Sequence, residues 1–352
     1  MKENFMDTNL NAREQYQKRK IRLAVMGLVL ALVSAITLVM FQNFNVAATD
    51  KIYATFPDSL LASFVLTLIT LSLCEFTGGL IMIGYNAVTG MPAAEYRRVL
   101  QVKSSRTVLL SALAAGPIAT ACSIVGISMC GSTYGNCIIG LTPILTAILA
   151  AIFLKEKAGP RVFVGVAIAV AGIIVATLSP PEGITNFYLG IIIVIFAPLG
   201  YSAEAIISTH AMDVSDPKVV CPLYRMIGSA LIEMICAVGV FLFTGHMGWF
   251  ANAFTIIFTS PLIMLFLLIV AILMAIQYNA IYVSYTYCGA TRGSAILFAS
   301  PIWSIPVGYF TAAIGVLPYS VTGLGIIGAI IVVVGIVIVL AKPSELFSIR
   351  NV

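Results

Sequence analysis

The stretch GVAIAVAG at residues 165–172 is apolar and spaced by glycines, and a similar stretch, GIIGAIIVVVG, stands at residues 325–335. Small residues are common in membrane helices, so one match of this kind means little. Five glycines and prolines, however, share a single displacement of 163 residues, in the pairs Gly165/Gly328, Gly172/Gly335, Pro180/Pro343, Gly126/Gly289 and Pro143/Pro306. The pattern predicts two homologous halves that are joined near residues 180–186.

The composition is that of a membrane protein. Of the 352 residues, 60% are hydrophobic and 9% are charged, and the mean hydropathy is +1.06. A soluble domain carries about 25% charged residues. The polar residues 1–20 precede an apolar run of full spanning length without a small-residue cleavage site, so we expect the first helix to be retained.

About 20 mostly apolar residues are needed to cross a bilayer. Ten segments meet this condition, at residues 21–42, 60–85, 107–128, 132–154, 161–179, 187–209, 219–243, 262–287, 292–314 and 319–341. Each half then holds five spans, and because five is odd the second half enters the membrane from the opposite side. We expect an all-α membrane protein of ten transmembrane helices, arranged as two inverted five-helix repeats around a central cavity.

The distribution of Lys and Arg predicts the orientation. With the N-terminus in the cytoplasm, every Lys and Arg except Lys51 falls on the cytoplasmic side. The expected organisation is a cytoplasmic segment at 1–20, repeats at 21–182 and 187–342, and a cytoplasmic tail at 343–352, in the bacterial cytoplasmic membrane. The net charge of +5 is therefore a topology signal, and no nucleic acid is expected as a partner.

The segment LTPILTAILAAIFLKEKAGPRVFVGVAIAVAGIIVA (residues 141–176) resembles the closing helix pair of an EamA-type domain, which belongs to the drug/metabolite transporter superfamily. The shared features are Pro143 in the fourth span, the FLKEK end with Glu156, and the glycine-spaced fifth span. The resemblance implies a fold in which spans five and ten are peripheral and the others surround a central cavity. Members of this superfamily export or exchange amino acids, drugs, sugars, nucleotide sugars and other metabolites.

The segment SPIWSIPVGYFTAAIGVLPYSVTGLGIIGAIIVVVGIVI (residues 300–338) resembles the same helix pair in the second half. It departs from the pattern because Leu317 and Pro318 replace the acidic residue that is expected there. Either Pro301 or Pro306 is the counterpart of Pro143, and all three prolines are candidate helix hinges.

Two carboxylates lie near the midpoints of apolar spans. Glu75 lies in SLCEFTGGLIMIG (72–84) of span two, and Glu233 lies in IGSALIEMICAV (227–238) of span seven, its repeat mate. A charge at the bilayer centre costs about 2.5–3.5 kcal/mol on insertion scales, so such residues usually face a polar interior. We expect both to face the central cavity and to bind a coupling proton or a cationic substrate. The alternative is a protonated carboxyl that only bonds a neighbouring helix.

The end of span eight, AIQYNAIYVSYTY (275–287), carries Tyr278, Tyr282 and Tyr285 on one helical stripe. Aromatic faces attract cations, and buried amides need partners. The candidate substrate-binding residues are Gln277, Tyr278, Asn279, Tyr282, Trp303 and Tyr201. As alternatives, the amides link helices, Trp303 packs against a neighbour, and Tyr285 belongs to an interfacial aromatic belt.

Glu204 and Arg225 form a candidate cytoplasmic gate. Glu204 precedes the end of span six, and Arg225 follows the start of span seven, by about six residues each; both therefore lie roughly 9 Å inside the boundary. A pair satisfies two charges that would be costly apart. We expect an ion pair that opens and closes during transport. The alternatives are a static pair and two side chains that extend separately to water.

Other kinds of site are not indicated. The seven cysteines are scattered without a CxxC motif and the two histidines are far apart, so neither a metal nor a cofactor is expected. The leading hypothesis is a secondary active transporter that moves a small polar or cationic metabolite across the cytoplasmic membrane by alternating access, coupled to protons or by exchange. The alternatives are a membrane-embedded enzyme, which would need clustered catalytic groups, and a non-transporting membrane scaffold. The expected partners are the small-molecule substrate, the lipid bilayer and protons.

Overall fold

The structure is a computed structural model that describes residues 2–57, 59–153, 160–181 and 186–340. Within these ranges the chain forms helices and no strands. We number the helices α1 (Lys2–Tyr53), α2 (Leu60–Val88), α3 (Ala93–Gln101), α4 (Lys103–Cys130), α5 (Ser132–Ile139), α6 (Thr142–Phe153), α7 (Pro160–Thr177), α8 (Phe187–Ala211), α9 (Pro217–Thr244), α10 (Met247–Thr259), α11 (Pro261–Cys288), α12 (Ala290–Leu297), α13 (Ser300–Ala313) and α14 (Gly323–Leu340).

The chain is a multi-pass helical membrane protein. In the described ranges, eight helical segments are long and apolar enough to cross a membrane, by length and composition. They coincide with eight of the ten expected spans: Glu14–Tyr53, Leu60–Val88, Lys103–Cys130, Ser132–Leu149, Phe187–Ala211, Pro217–Thr244, Pro261–Cys288 and Arg292–Ala313.

Within the described residues, the expected fifth and tenth spans are represented by the shorter apolar helices Phe163–Thr177 and Gly323–Ile338. Residues 154–159, before the first, and the residues from 341 on, after the second, lie outside the described ranges. Helix α10 was not expected from the sequence, because it lies between the seventh and eighth expected spans. Its Trp249 packs edge-on against Phe56, with ring centroids 5.9 Å apart. The expected features at Glu156 and Pro343, and most of the 180–186 junction, lie outside the described residues.

Two pairs of consecutive spans are separated at a glycine, and the two glycines have the same backbone geometry. Gly131 separates α4 from α5 with φ 91° and ψ 152°, and Gly289 separates α11 from α12 with φ 84° and ψ 158°. Positive φ is accessible to glycine at little cost, which explains the residue type at both breaks.

The three candidate hinge prolines lie in different helical settings. Pro143 is the second residue of α6, and Pro301 is the second residue of α13. Proline is tolerated in a first turn, where its missing N–H has no helical partner to lose. Only Pro306 lies inside a helix, where it removes a hydrogen bond and favours a bend.

Helices α7 and α14 approach each other along their glycines. A Cβ atom built on Gly172 would lie 2.9 Å from the carbonyl oxygen of Gly328, and one on Gly335 would lie 2.7 Å from that of Gly165. Side chains at these positions would push the two backbones apart, so the glycine spacing of the sequence produces this close contact.

We expect Gly328→Ala to destabilise the protein, because the new Cβ would lie 2.5 Å from the backbone nitrogen of Ala176. Overpacking of this kind costs about 1–3 kcal/mol, and the midpoint of thermal unfolding in detergent should fall. The matched control is Gly84→Ala in α2, where a Cβ meets no described atom within 4 Å. That variant should be at least as stable as wild type, because alanine favours helix. Equal midpoints for the two variants would contradict the contact.

Candidate functional site

Arg225 is the centre of the candidate site. Its side chain is fully buried and makes ion pairs with carboxylates from two other helices. Its Nε donates to Oε1 of Glu204 over 2.5 Å, and its Nη1 donates to both oxygens of Glu75, over 3.0 and 3.1 Å. The expected pair between Glu204 and Arg225 is therefore present, and Glu75, which was expected in the cavity, shares the same guanidinium.

Two tyrosines of α11 complete this arrangement. Nη2 of Arg225 donates to the Tyr278 hydroxyl over 2.6 Å, and that hydroxyl donates to Glu75 over 3.2 Å. The Tyr282 hydroxyl donates to Glu204 over 3.2 Å. We call Glu75, Glu204, Arg225, Tyr278 and Tyr282 the ion-pair cluster. It holds two carboxylates and one guanidinium, so one negative charge is in excess when both carboxylates are ionised.

The backbone of α9 is widened where it carries Arg225. Residues Cys221–Gly228 form a π-helical segment, which starts beside Pro222 and ends in ordinary α-helix. A second π-helical segment, Ala114–Thr120 of α4, contains Pro117. Proline lacks an N–H for the helical ladder, and π-helical turns inside α-helices occur frequently at functional sites.

Helix α2 can bring Glu75 to Arg225 because two glycines follow the carboxylate. A Cβ built on Gly79 would lie 2.8 Å from the side chain of Ile227, and one on Gly78 would lie 2.7 Å from the carbonyl oxygen of Ala271. The absence of side chains at these two positions lets α2 pack closely against α9 and α11 together. Helices α2, α9 and α11 thus meet at the ion-pair cluster, to which α8 contributes Glu204.

Glu233, the second expected carboxylate, is buried beside this cluster. The Ser229 hydroxyl donates to its Oε1 over 3.5 Å, while Oε2 has no hydrogen-bond partner among the described residues. A Cβ on Gly116, in the π-helical segment of α4, would lie 2.8 Å from Oε1. The carboxyl group therefore lies in a narrow space between α4 and α9.

A small cavity borders the ion-pair cluster. The centre of a water molecule can occupy about 20 Å³ of it, which is room for roughly one water. Its walls are Leu38, Tyr201, Glu204, Gln277, Tyr278, Ile281, Tyr282, Tyr285, Leu297 and Phe298. The cavity is therefore too small for a metabolite.

The cavity brings together four of the six candidate substrate-binding residues, Gln277, Tyr278, Tyr282 and Tyr201, together with Glu204. Glu75 and Glu233, which were expected to face the cavity, are not among its walls. The Tyr201 hydroxyl donates to Oγ1 of Thr120 over 3.2 Å.

Two expected residues lie elsewhere. Trp303 and Asn279 are half-buried and outside the lining. Tyr285, for which the sequence left an interfacial aromatic belt as the alternative, lines the cavity and accepts a hydrogen bond from Ser294 over 3.2 Å. The stripe of three tyrosines on α11 indicated this position. Phe298, whose ring lies 5.5 Å from that of Tyr201, carried no comparable signal.

The described side chains include no group of three or more His, Cys, Asp or Glu residues that could hold a metal ion. The chemistry of the site consists of carboxylates, a guanidinium, phenols and an amide. Such groups can bind and release protons and can bind ammonium or hydroxyl groups.

Comparisons with known proteins give a fold and no activity. No family model and no curated protein matches this chain. Among the solved structures that match is a chain described only as "Crystal structure of protein", with a TM-score of 0.51 and 14% sequence identity. The match covers 87% of this chain and 96% of that chain. At this identity the likeness shows a shared fold alone.

We expect Arg225→Met to destabilise the protein by about 3–5 kcal/mol, because it leaves two buried carboxylates without their cation. Thermal unfolding in detergent measures the change. The matched control is Arg98→Met, which removes an exposed arginine paired with Glu95 on α3 and should change stability little. A triple variant, Arg225→Met with Glu75→Gln and Glu204→Gln, removes all three charges and should recover much of the loss. If it is as unstable as Arg225→Met, charge compensation is not what the cluster provides.

Proposed function

We propose that this protein is a secondary active transporter of the EamA type within the drug/metabolite transporter superfamily. In this proposal it moves a small polar or cationic metabolite across the membrane by alternating access, with protons as the coupling ion or by exchange. The observation that carries the proposal is the ion-pair cluster. Charged residues are costly inside a membrane and usually mark a pathway for a substrate or an ion. Here three of them meet beside a cavity among helices long enough to span a bilayer.

The proposal includes an inverted repeat, which the positions of matching helices and glycines support. In helices α7 and α14, Gly165 and Gly172 lie 163 positions before Gly328 and Gly335. Helix α5 (Ser132–Ile139) and helix α12 (Ala290–Leu297) both have 8 residues and begin 158 positions apart. We infer that the register of the repeat changes by five residues between these helices, in the connection before α14.

The 158-residue register pairs further residues of the same kind. It relates Gly131 to Gly289, the two helix breaks of equal geometry, and Pro143 to Pro301. It therefore favours Pro301 over Pro306 as the counterpart of Pro143, and it replaces the earlier pairing of Gly126 with Gly289. It also relates Glu75 to Glu233, so the two intramembrane carboxylates occupy equivalent positions in the two halves.

Contacts between the halves also fit a two-fold axis. The Ser72 hydroxyl donates over 2.7 Å to the carbonyl oxygen of Ala230, which is its own mate in the 158-residue register. Residues on a two-fold axis meet their own mates. The glycine contacts of α7 and α14 form two pairs, 172 with 328 and 165 with 335. When each residue is replaced by its mate in the 163-residue register, the first pair becomes the second. Both observations support two halves related by inversion.

The ion-pair cluster holds one carboxylate more than it holds guanidinium groups. In the proposed mechanism, a proton and the substrate neutralise the charge of this additional carboxylate alternately. Glu204 lines the cavity and shares Arg225 with Glu75, so a cation that reaches Glu204 competes with the guanidinium for it. Loss of this bond loosens α8 from α9. Glu233 makes no ion pair within the described residues and its Oε2 has no hydrogen-bond partner there, so this oxygen is available to bind a proton. Exchange of proton and substrate then accompanies the rocking of the halves.

The test is uptake of isotope-labelled metabolites into proteoliposomes, with and without a pH gradient. A panel of amino acids, amines, sugars and nucleosides covers the polar and cationic classes. Saturable uptake of at least one compound supports transport. No uptake in either orientation, with folded protein, argues for a scaffold, and chemical conversion of a compound argues for an enzyme.

We expect Glu75→Gln to fold and to lose accumulation driven by a pH gradient. Glutamine keeps hydrogen-bonding groups beside Arg225, and Glu204 still compensates the guanidinium, but the ion-pair cluster then has no excess carboxylate for a proton to compensate. Substrate counterflow without a gradient should fall much less. The matched control is Glu95→Gln on α3, a carboxylate outside the membrane-spanning segments whose pKa the Arg98 guanidinium holds below its ordinary value. Accumulation by Glu75→Gln with unchanged pH dependence would rule out the coupling role.

A further inference from the structure

Gln277 brings an unsatisfied hydrogen-bond acceptor to the wall of the small cavity. Only 2% of this residue is exposed, and its Oε1 has no hydrogen-bond partner among the described residues. Helix α11 positions it, because Gln277, Ile281 and Tyr285 follow one another at intervals of four residues and line the cavity together. A buried acceptor without a donor costs free energy. The oxygen of Gln277 therefore calls for a donor that enters the cavity.

Glu204 supplies a second acceptor on the same wall of side chains. The hydrogen bonds that Arg225 and Tyr282 donate to this carboxylate both go to Oε1, so neither of them uses Oε2. Of the three charged side chains in the ion-pair cluster, only that of Glu204 is accessible: it is 10% exposed, whereas those of Glu75 and Arg225 are 0% exposed. Because Glu204 also lines the cavity, it is the carboxylate of the cluster that a ligand can reach.

The charge of the site favours a cation. In the ion-pair cluster two carboxylates share one guanidinium, so one negative charge remains when both are ionised. A water molecule would leave this charge in place, whereas a monovalent cation neutralises it. The faces of aromatic rings also attract cations. Arg225 already uses one such face, since its Cζ lies 4.1 Å from the ring centroid of Tyr278, and the rings of Tyr201, Tyr285 and Phe298 complete the walls.

The volume of the cavity restricts the head group of that cation. The centre of a water molecule can occupy about 20 Å³, which is room for roughly one water. A primary ammonium group has one heavy atom, as water has, and its N–H groups can donate to both Gln277 and Glu204. A trimethylammonium group has four heavy atoms and no N–H, so it is too large and leaves the oxygen of Gln277 without a donor.

We propose that the cavity binds the primary ammonium group of the substrate and that Gln277 is the residue that recognises its N–H donors. This rests on the proposed function, and it narrows the substrate class to primary alkylammonium ions, to the exclusion of quaternary ones. The head group donates to Oε1 of Gln277 and to Oε2 of Glu204. The cavity admits the head group alone, and the alkyl chain is accommodated when the halves open.

The experiment compares propylammonium with N,N,N-trimethylpropylammonium, which has the same alkyl chain and a different head group. Equilibrium binding of each labelled cation is measured on the full chain in detergent, so that the result does not depend on transport. The variants are Gln277→Leu, which removes the free acceptor, and Leu297→Ala, which enlarges the cavity without removing a polar group. The matched control is Gln42→Leu on α1, a buried glutamine outside the cavity walls whose Nε2 has no partner among the described residues.

We expect wild type and Gln42→Leu to bind propylammonium at least about tenfold more tightly than the trimethyl compound, because only the primary ammonium can donate to the buried oxygens. In Gln277→Leu the affinity for propylammonium should fall about tenfold, while that for the trimethyl compound should not fall. The midpoint of thermal unfolding should not fall either, since Oε1 of Gln277 makes no described hydrogen bond that the substitution would break. Leu297→Ala should bind the trimethyl compound more tightly than wild type does.

Equal affinities of wild type for the two cations overturn the proposal, and so does unchanged discrimination by Gln277→Leu. If folded wild type binds neither cation saturably, water alone occupies the cavity and the proposal is likewise overturned. A trimethyl compound that binds no more tightly to Leu297→Ala contradicts selection by size.

Uptake into proteoliposomes separates this inference from the proposed function. Selective binding of propylammonium without uptake of any compound supports the site and contradicts the proposed function alone. Uptake of other compounds by a protein that does not bind propylammonium contradicts the site alone.

Discussion

One buried guanidinium holds four helices of this protein together. Arg225 bonds Glu75 of α2, Glu204 of α8 and Tyr278 of α11 from its own position on α9. Its removal from water is repaid only while these partners stay in place, since a buried charge without a partner is strongly destabilising. The glycines beside Glu75 and the widened turn around Arg225 follow from the same requirement, because both bring backbones to the distances that the ion pairs need.

The polar interior has a charged part and a neutral part. In the ion-pair cluster, two carboxylates share one guanidinium, whereas the buried amides of α1 and α5 are neutral and have donors and acceptors without a partner among the described residues. In the proposed transporter, the charged part provides the coupling to protons.

The sequence was sufficient to predict the features that depend on composition and on the depth of a residue in the membrane. Apolar runs predicted the helical membrane fold, and equal depth predicted the contact of Glu204 with Arg225. The sharing of Arg225 by Glu75 could not be predicted, because it depends on how α2 crosses α9, which is a long-range packing result. Trp303 lies outside the cavity. The sequence could not predict this, because the depth of a residue in the membrane does not give the rotation of its helix about the helix axis. The buried amides of α1 were overlooked because Gln42 and Asn43 stand at the expected end of the first span.

The contact between α7 and α14 is made by backbone on backbone, at glycines 165, 172, 328 and 335. Interlocking side chains fix the angle between two helices, since ridges must leave their grooves before the helices can turn. A glycine-to-glycine contact has no such ridges. One helix can therefore pivot on the other without any rotamer change. In the proposed transporter, two halves that rock against each other need a joint that stays closed in every position, and the helix pair α7 and α14 has the surface of such a joint.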